Sequence, residues 1–292
     1  MAAPSRPDAA PVIGEAALPP AGRPGGSREV ITLEARPVAS RGGRGHRVLR
    51  IGSIVGLLAA WEALARSHAV PAVFLPSPEA VAGELAHLAS TGDLWRSLGA
   101  SLGRIAAGFA LGSAAGLIVG VLAGVSRPAE AVADPLIAAI YPIPKIALLP
   151  LLILWLGIGE APKIAVIAVG AFFPVAIGTM SAIRDVDPLL VRAARSLGAG
   201  RLHIITKVQL PASVPMVFAS LRLAAGMSLL LVVSAEMIAA TAGIGYLILY
   251  AGDLMQTARL LAGIAVLSVL GLLSTSGLAA LERRLFRGRA RS

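Results

Sequence analysis

No cysteine occurs in the 292 residues. Disulfide staples, thiolate metal sites and a cysteine nucleophile are therefore excluded. Aromatic residues make up only 4%, too few for a base-stacking nucleic-acid platform. Charged residues reach 14%, against about 25% in soluble domains. No Gly-x-x-x-x-Gly-Lys-Ser/Thr run is present, so the chain carries no recognisable phosphate loop for ATP. His46, His68, His87 and His203 lie scattered, without the paired spacing of a metal site. His-Glu-x-x-His is missing, and no acidic pair at helical spacing lies away from the edge of a span, which argues against an intramembrane enzyme.

What the chain has instead is apolar length. Hydrophobic residues are 56% of the total, above the range of soluble proteins. Runs near the ~20 residues needed to cross a bilayer fall at about 48–66, 97–125, 130–156, 162–183, 212–240 and 258–282. The expected fold is an all-α integral membrane protein with six transmembrane helices. Residues 1–47, rich in Ala, Pro, Arg and Gly, read as a disordered basic cytoplasmic arm, or as a start codon placed too far upstream. Residues 48–285 form the membrane domain, and 286–292 a basic tail. Ala63-Leu64-Ala65 has the look of a signal cleavage site. The run continues through Trp61 and Glu62 after a long arm, so a retained helix is the better reading.

The formal charge of +10 is explained by where the basic residues sit. Arginines crowd the segment before the first span, the stretch 184–207 and the tail, while 67–95, 157–161 and 241–257 contain no Lys or Arg. By the positive-inside rule both termini are cytoplasmic, and nucleic acid is not an expected partner. Within the outer loop 67–95, Ser77-Pro78-Glu79 opens a short amphipathic helix closed by Thr91-Gly92. Trp61, Trp95 and Trp155 fall near membrane boundaries, as interfacial anchors do.

Between the fourth and fifth spans lies a polar insert, 184–211. Asp187-Pro188 starts a helix, and Leu190, Ala193, Ala194 and Leu197 share one stripe. Gly198 suits a left-handed stop. A second short helix runs from about Arg201 to Gln209 with Leu202, Ile205 and Val208 on one side, and Pro211 is expected to hold Leu210 extended and end it. Such a hairpin is either a docking surface for another protein or an amphipathic element on anionic membrane lipid.

Its residues resemble the EAA signature of permease subunits of ATP-binding-cassette (ABC) importers. Arg192-Ala193-Ala194 is followed after three residues by Gly198, and nine residues later by Val208-Gln209-Leu210-Pro211. Arg192 stands where that pattern has Glu. Leu75-Pro76-Ser77-Pro78, Ser101-Leu102-Gly103-Arg104, Leu148-Leu149-Pro150 with Leu154-Trp155-Leu156-Gly157, and Ala235-Glu236 with Gly243-Ile244-Gly245-Tyr246 are similar to the nitrate, aliphatic sulfonate and taurine branch. The resemblance implies type I importer architecture and a bacterial inner-membrane location. It implies two paired permease copies, in the simplest case a homodimer. Cytoplasmic ATPase subunits would use the ATP and magnesium, with no cofactor on this chain. A periplasmic binding protein would deliver a small anion. Arg192, Ala193, Ala194, Leu197, Gly198, Leu202, Val208, Leu210 and Pro211 are then the coupling residues.

Other residues carry two readings. Lys145 and Pro150, with Pro142 and Pro144, interrupt the third span and read as pathway-lining, or as a packing kink. Arg222 and Glu236 in the fifth span are pathway candidates or inter-helix pairs. Gly108, Gly112, Gly116, Gly120 and Gly124 form an i, i+4 row that predicts close helix packing. An ion-coupled secondary transporter or channel is the rival function, but it leaves the EAA spacing without a reason.

Overall fold

A computed structural model describes residues 44–67 and 69–286. The expected arm up to residue 43, His68 and the tail from 287 lie outside the described residues. The first helix, α1 (Arg44–Arg66), begins inside the stretch allotted to the arm. The compact unit starts at Arg50. Described elements after α1 are all helical: α2 (Pro78–Thr91), α3 (Asp93–Val125), α4 (Arg127–Ile140), α5 (Leu149–Leu156), α6 (Glu160–Arg184), α7 (Pro188–Ser196), α8 (Arg201–Ile204), α9 (Leu210–Ala239), α10 (Ile244–Asp253) and α11 (Thr257–Phe286).

Local chemistry places the helix ends. Ser77 accepts a hydrogen bond from the Ala80 N–H, and Pro78 occupies the first turn of α2, where no donor is missed. Gly92 closes α2 at φ +86°, a region costly for any residue with a Cβ. Asp187 caps α7 through Leu189 N–H at 2.8 Å.

The centre of the fold is α6, packed between α3 and α9. Along α3 the glycine row faces α6 directly. A Cβ on Gly112 would come 2.1 Å from the Ala168 carbonyl oxygen, and one on Gly120 would come 2.7 Å from that of Ala176. The two backbones approach to a distance that only glycine permits, as the four-residue spacing predicts. On the other side, Gly170 and Gly178 of α6 receive Leu231 and Ser220 of α9. In lipid there is no hydrophobic drive between helices, so this close packing supplies the cohesion.

The expected count of six spans is not reached among the described residues, and the break expected in the third span is there. Four helices are long and apolar enough to cross a membrane: 93–125, 160–184, 201–239 and 257–284. The third expected span, 130–156, is two pieces, α4 and 145–156, bent by 88°. Pro142 and Pro144 remove donors at the bend and exclude a straight helix. Counting that pair as one span makes five, so six is not reached among the described residues. Two further differences concern loops. The segment 241–257 contains α10. Pro211 does not end a helix: Leu210 is helical at φ −59°, ψ −48°. α8, a π-helical turn over Ile205–Gln209 and α9 run as one 39-residue rod. The Leu210 N–H reaches back to the Ile205 carbonyl. That wider turn lets the chain pass a proline that has no N–H to give.

Candidate functional site

Two constellations lie at opposite ends of α6, about 36 Å apart by the rise of its 25 residues. At the Arg184 end stands the hairpin of α7 and α8. Not one residue of α7 is buried. Gly198 sits at φ +81°, in the left-handed region the turn requires. The Ala199 N–H bonds the Ala194 carbonyl at 3.0 Å, and the Gly198 N–H bonds that of Arg195 at 2.9 Å, so the turn satisfies the helix's last acceptors. Leu197 is 88% exposed and Leu202 74%, with Leu189 and Leu190 also open to the surroundings. Arg192, Ala193 and Gly198 are exposed as well, whereas Ala194, Val208, Leu210 and Pro211 are half-buried. The expected coupling residues thus divide into a presented knuckle and the root that holds it. Two polar contacts bind this end to the turn between α3 and α4. Arg201 Nη2 donates to the Val125 carbonyl at 3.1 Å, and Arg184 pairs with Glu130.

At the Glu160 end lies a charged cluster that is buried at Arg104, Glu236 and Lys163 and open to the surroundings at Glu160. Glu236 is 0% exposed and Arg104 5%. Arg104 Nη1 donates to Glu236 Oε1 and to the Ala242 carbonyl, both at 2.7 Å. Its Nε and Nη2 fork onto the two oxygens of Glu160, at 2.5 and 2.9 Å. Ser101 Oγ donates to Glu236 at 2.8 Å and accepts from Ile244 N–H at 2.9 Å. Gly245 N–H donates to Glu236 Oε2 at 2.8 Å. Lys163 Nζ lies 2.9 Å from Glu160. Two cations and two carboxylates balance, and every Glu236 oxygen has donors. A buried charge is tolerable only under such conditions. Gly243 is obligatory: at φ +127° its Cβ would stand 2.4 Å from Glu236 Cδ. Gly99-Ala100-Ser101-Leu102-Gly103 has the letters of a nucleophile elbow, but it lies inside α3 and the Ser101 hydroxyl is bound to a carboxylate with no histidine.

The remaining candidates take structural places. Lys145 is buried, and its ammonium donates to the carbonyls of Ile140 at 3.3 Å, Tyr141 at 2.5 Å and Ile143 at 2.8 Å. It lies 4.6 Å from the Phe173 ring centroid. A cation is well placed on the orphan acceptors at the end of α4. Lys145 thus caps the break. Pro150 stands in the first turn of α5, exposed. Arg222 pairs with Glu282 of α11 at 2.5 Å. Arg222 and Glu236 are thus the inter-helix links that one of their two readings describes. Trp61 donates to the Pro76 carbonyl at 3.0 Å and Trp95 to that of Ala89 at 3.1 Å, while Trp155 is exposed.

Sequence reasoning named Ser101, Arg104, Glu236 and Gly243–Gly245 as separate stretches of family likeness. It did not join them, and it missed Glu160 and Lys163. Arg104 was the available signal: a guanidinium in an apolar span must have partners.

Membrane-length helices with a presented polar hairpin make this a multi-span membrane protein. Residues 112–287 match the family of binding-protein-dependent transport system inner membrane components, and the chain belongs to it. The taurine transport system permease protein TauC of Escherichia coli K12 is 37% identical over 242 residues, 81% of this chain and 88% of that protein. The SsuC protein of the same strain, named for aliphatic sulfonates transport, is 38% identical over 229 residues, 78% of this chain and 87% of the relative. A crystal structure of an amino acid ABC transporter superposes with TM-score 0.56 at 21% identity, over 68% of this chain and 97% of that one. That likeness shows the fold.

Proposed function

We propose that this chain carries a small sulfonate, taurine-like or nitrate-like anion across the inner membrane, driven by a separate cytoplasmic ATPase that binds the hairpin 188–211. The observation that carries the reading is α7. A helix with no buried residue and exposed Leu189, Leu190, Leu197 and Leu202 has no reason to stay ordered in water unless a partner covers it. Small Ala193 allows that partner close approach. The root is continuous with α9 through one 39-residue rod, so a push on the knuckle turns a whole span. ATP and magnesium are used by the partner. Two copies of the permease, a homodimer in the simplest arrangement, enclose the path. Basic residues flanking the hairpin support a cytoplasmic side for it and for both termini. The opposite face then meets a periplasmic binding protein, which sets most of the substrate choice. On that face a cleft of about 1060 Å³ between α1, α2 and the start of α11 is edged by Glu62, Glu79, Glu84, Arg66 and Arg259, a mixed-charge surface for such docking.

The test is a two-residue insertion between Ala194 and Gly198. It rotates the knuckle by about 200° at 3.6 residues per turn. Membrane insertion is expected to persist while ATP-driven uptake and stimulation of the ATPase by loaded binding protein are lost. Normal uptake would refute the coupling role. Uptake by this chain alone, powered by an ion gradient, would instead establish the secondary-transporter reading.

A further inference from the structure

The hairpin has a second face, turned toward the body. Between it and the turn joining α3 to α4 lies a cavity of about 820 Å³. Four guanidiniums line it, those of Arg127, Arg184, Arg195 and Arg201, against one carboxylate, Glu130. Glu130 is taken by Arg184, and Arg201 is held on the Val125 carbonyl. The guanidiniums of Arg127 and Arg195 have no hydrogen-bond or ion-pair partner among the described residues. Converging like charges repel, and a concave wall focuses their field. Such a cavity is completed by an anion, and planar forked donors suit phosphate oxygens.

A second feature adjoins it. An apolar groove of about 550 Å³ begins at Ala123 and Ala129, the neighbours in sequence of Gly124, Pro128 and Glu130 in the basic cavity. It is walled by Val119, Leu122, Val132, Leu136, Phe172 and Phe173. Along α4, from Ala129 to Ile140, the groove runs about 16 Å by helix rise, close to half of the ~30 Å hydrocarbon core of a bilayer. A cationic mouth on an apolar slot of that length matches one molecule: a charged head with an acyl tail.

We propose that the cavity and groove together form a binding site for an anionic phospholipid, its phosphate between Arg127 and Arg195 and an acyl chain along α4. A free phosphate ion satisfies the mouth and leaves the slot empty. A zwitterionic lipid fills the slot and brings no net charge to the arginines. The lipid bridges α4 to the inner face of the hairpin, parallel to the Arg184–Glu130 pair and on the side away from exposed Leu197 and Leu202.

The full chain, purified in detergent, is exposed to equal amounts of phosphatidylglycerol and phosphatidylcholine and examined by native mass spectrometry. Retention of phosphatidylglycerol is expected, with the preference falling about tenfold or more in the double variant Arg127→Gln/Arg195→Gln, since each basic residue at an anionic surface contributes ~1 kcal/mol. Arg192→Gln, on an exposed position outside the cavity, should keep the preference and controls for loss of charge alone. Ala133→Trp, which fills the slot, should release the lipid while the arginines remain. Unchanged preference in the double variant overturns the proposal. Displacement of phosphatidylglycerol by millimolar inorganic phosphate, with equal thermal stabilisation, assigns the mouth to a soluble anion and overturns it too. If Ala133→Trp separates paired copies of the chain and leaves lipid retention intact, the groove is an interface between copies, and the lipid site is refuted.

Discussion

A guanidinium inside an apolar helix has two fates: it reaches water, or it finds a carboxylate. Arg104 takes the second course twice over, forked onto Glu160 and bonded to Glu236. Removing one partner of a buried pair costs about 3–5 kcal/mol, because the survivor stays buried and unpaired. Glu236→Ala is therefore expected to lower the thermal unfolding midpoint in detergent markedly, and Arg104→Ala added to it should recover part of the loss. Equal midpoints for wild type and the single variant would show that the cluster contributes nothing. Gly243→Ala tests the same place from the backbone. It meets both a left-handed φ and a Cβ at 2.4 Å from the Glu236 carboxyl carbon, so a loss above about 1 kcal/mol is expected, again read as the unfolding midpoint.

At the scale of elements, the α3–α6 seam decides how closely two spans can run. Five glycines in a four-residue row are legible in the sequence, and the face they share follows from helix geometry. The row also marks which α3 glycines matter. Gly103 lies in the same helix, yet a Cβ there meets nothing within 4 Å. Gly112→Ala is expected to push the helices apart and lower stability by ~1–3 kcal/mol, as overpacking does. Gly103→Ala should be neutral or slightly favourable on helix propensity. Unfolding in a denaturing detergent series compares the two, and equal losses would contradict the packing described. Arg222 and Glu282 join α9 to α11 at 2.5 Å but remain partly exposed. A double-mutant cycle with alanine at both should give a coupling of about 1 kcal/mol or less.

For the whole molecule, the two constellations mark two ends of one lever. Arg201–Ala239 spans it as a single helix, with the presented hairpin at its start and Glu236 at its close. The absence of cysteine makes the arrangement directly testable. Gly200→Cys and Thr241→Cys, each the sole thiol, should react with a membrane-impermeant reagent from opposite sides of oriented vesicles. Gly200 is expected to label only from the cytoplasmic side. Labelling of both from one side would overturn the orientation. The bent pair around Lys145 belongs to this scale as well. Its 88° turn and the capping of α4 by a buried ammonium make an irregular segment that protein, not lipid, must cover.

By itself the sequence determined where most of the apolar helices fall, where the hairpin begins and turns, and which sign of charge lies at each end. Those properties come from neighbours along the chain: periodicity, Asp187 and Ser77 as caps, Gly198 and Gly92 as stops. It misjudged Pro211, because a proline's missing donor can be absorbed by a wider turn when the helices beyond hold the rod straight. It overlooked the helix within 241–257, although its prolines did mark the break in the third span. Only the tertiary structure brought Ser101 and Arg104 to Glu236, across 135 and 132 residues, and added Glu160 and Lys163. Pairing at such separations depends on the register of three packed helices, and that register is set by side-chain volumes meeting in space, which no local pattern encodes.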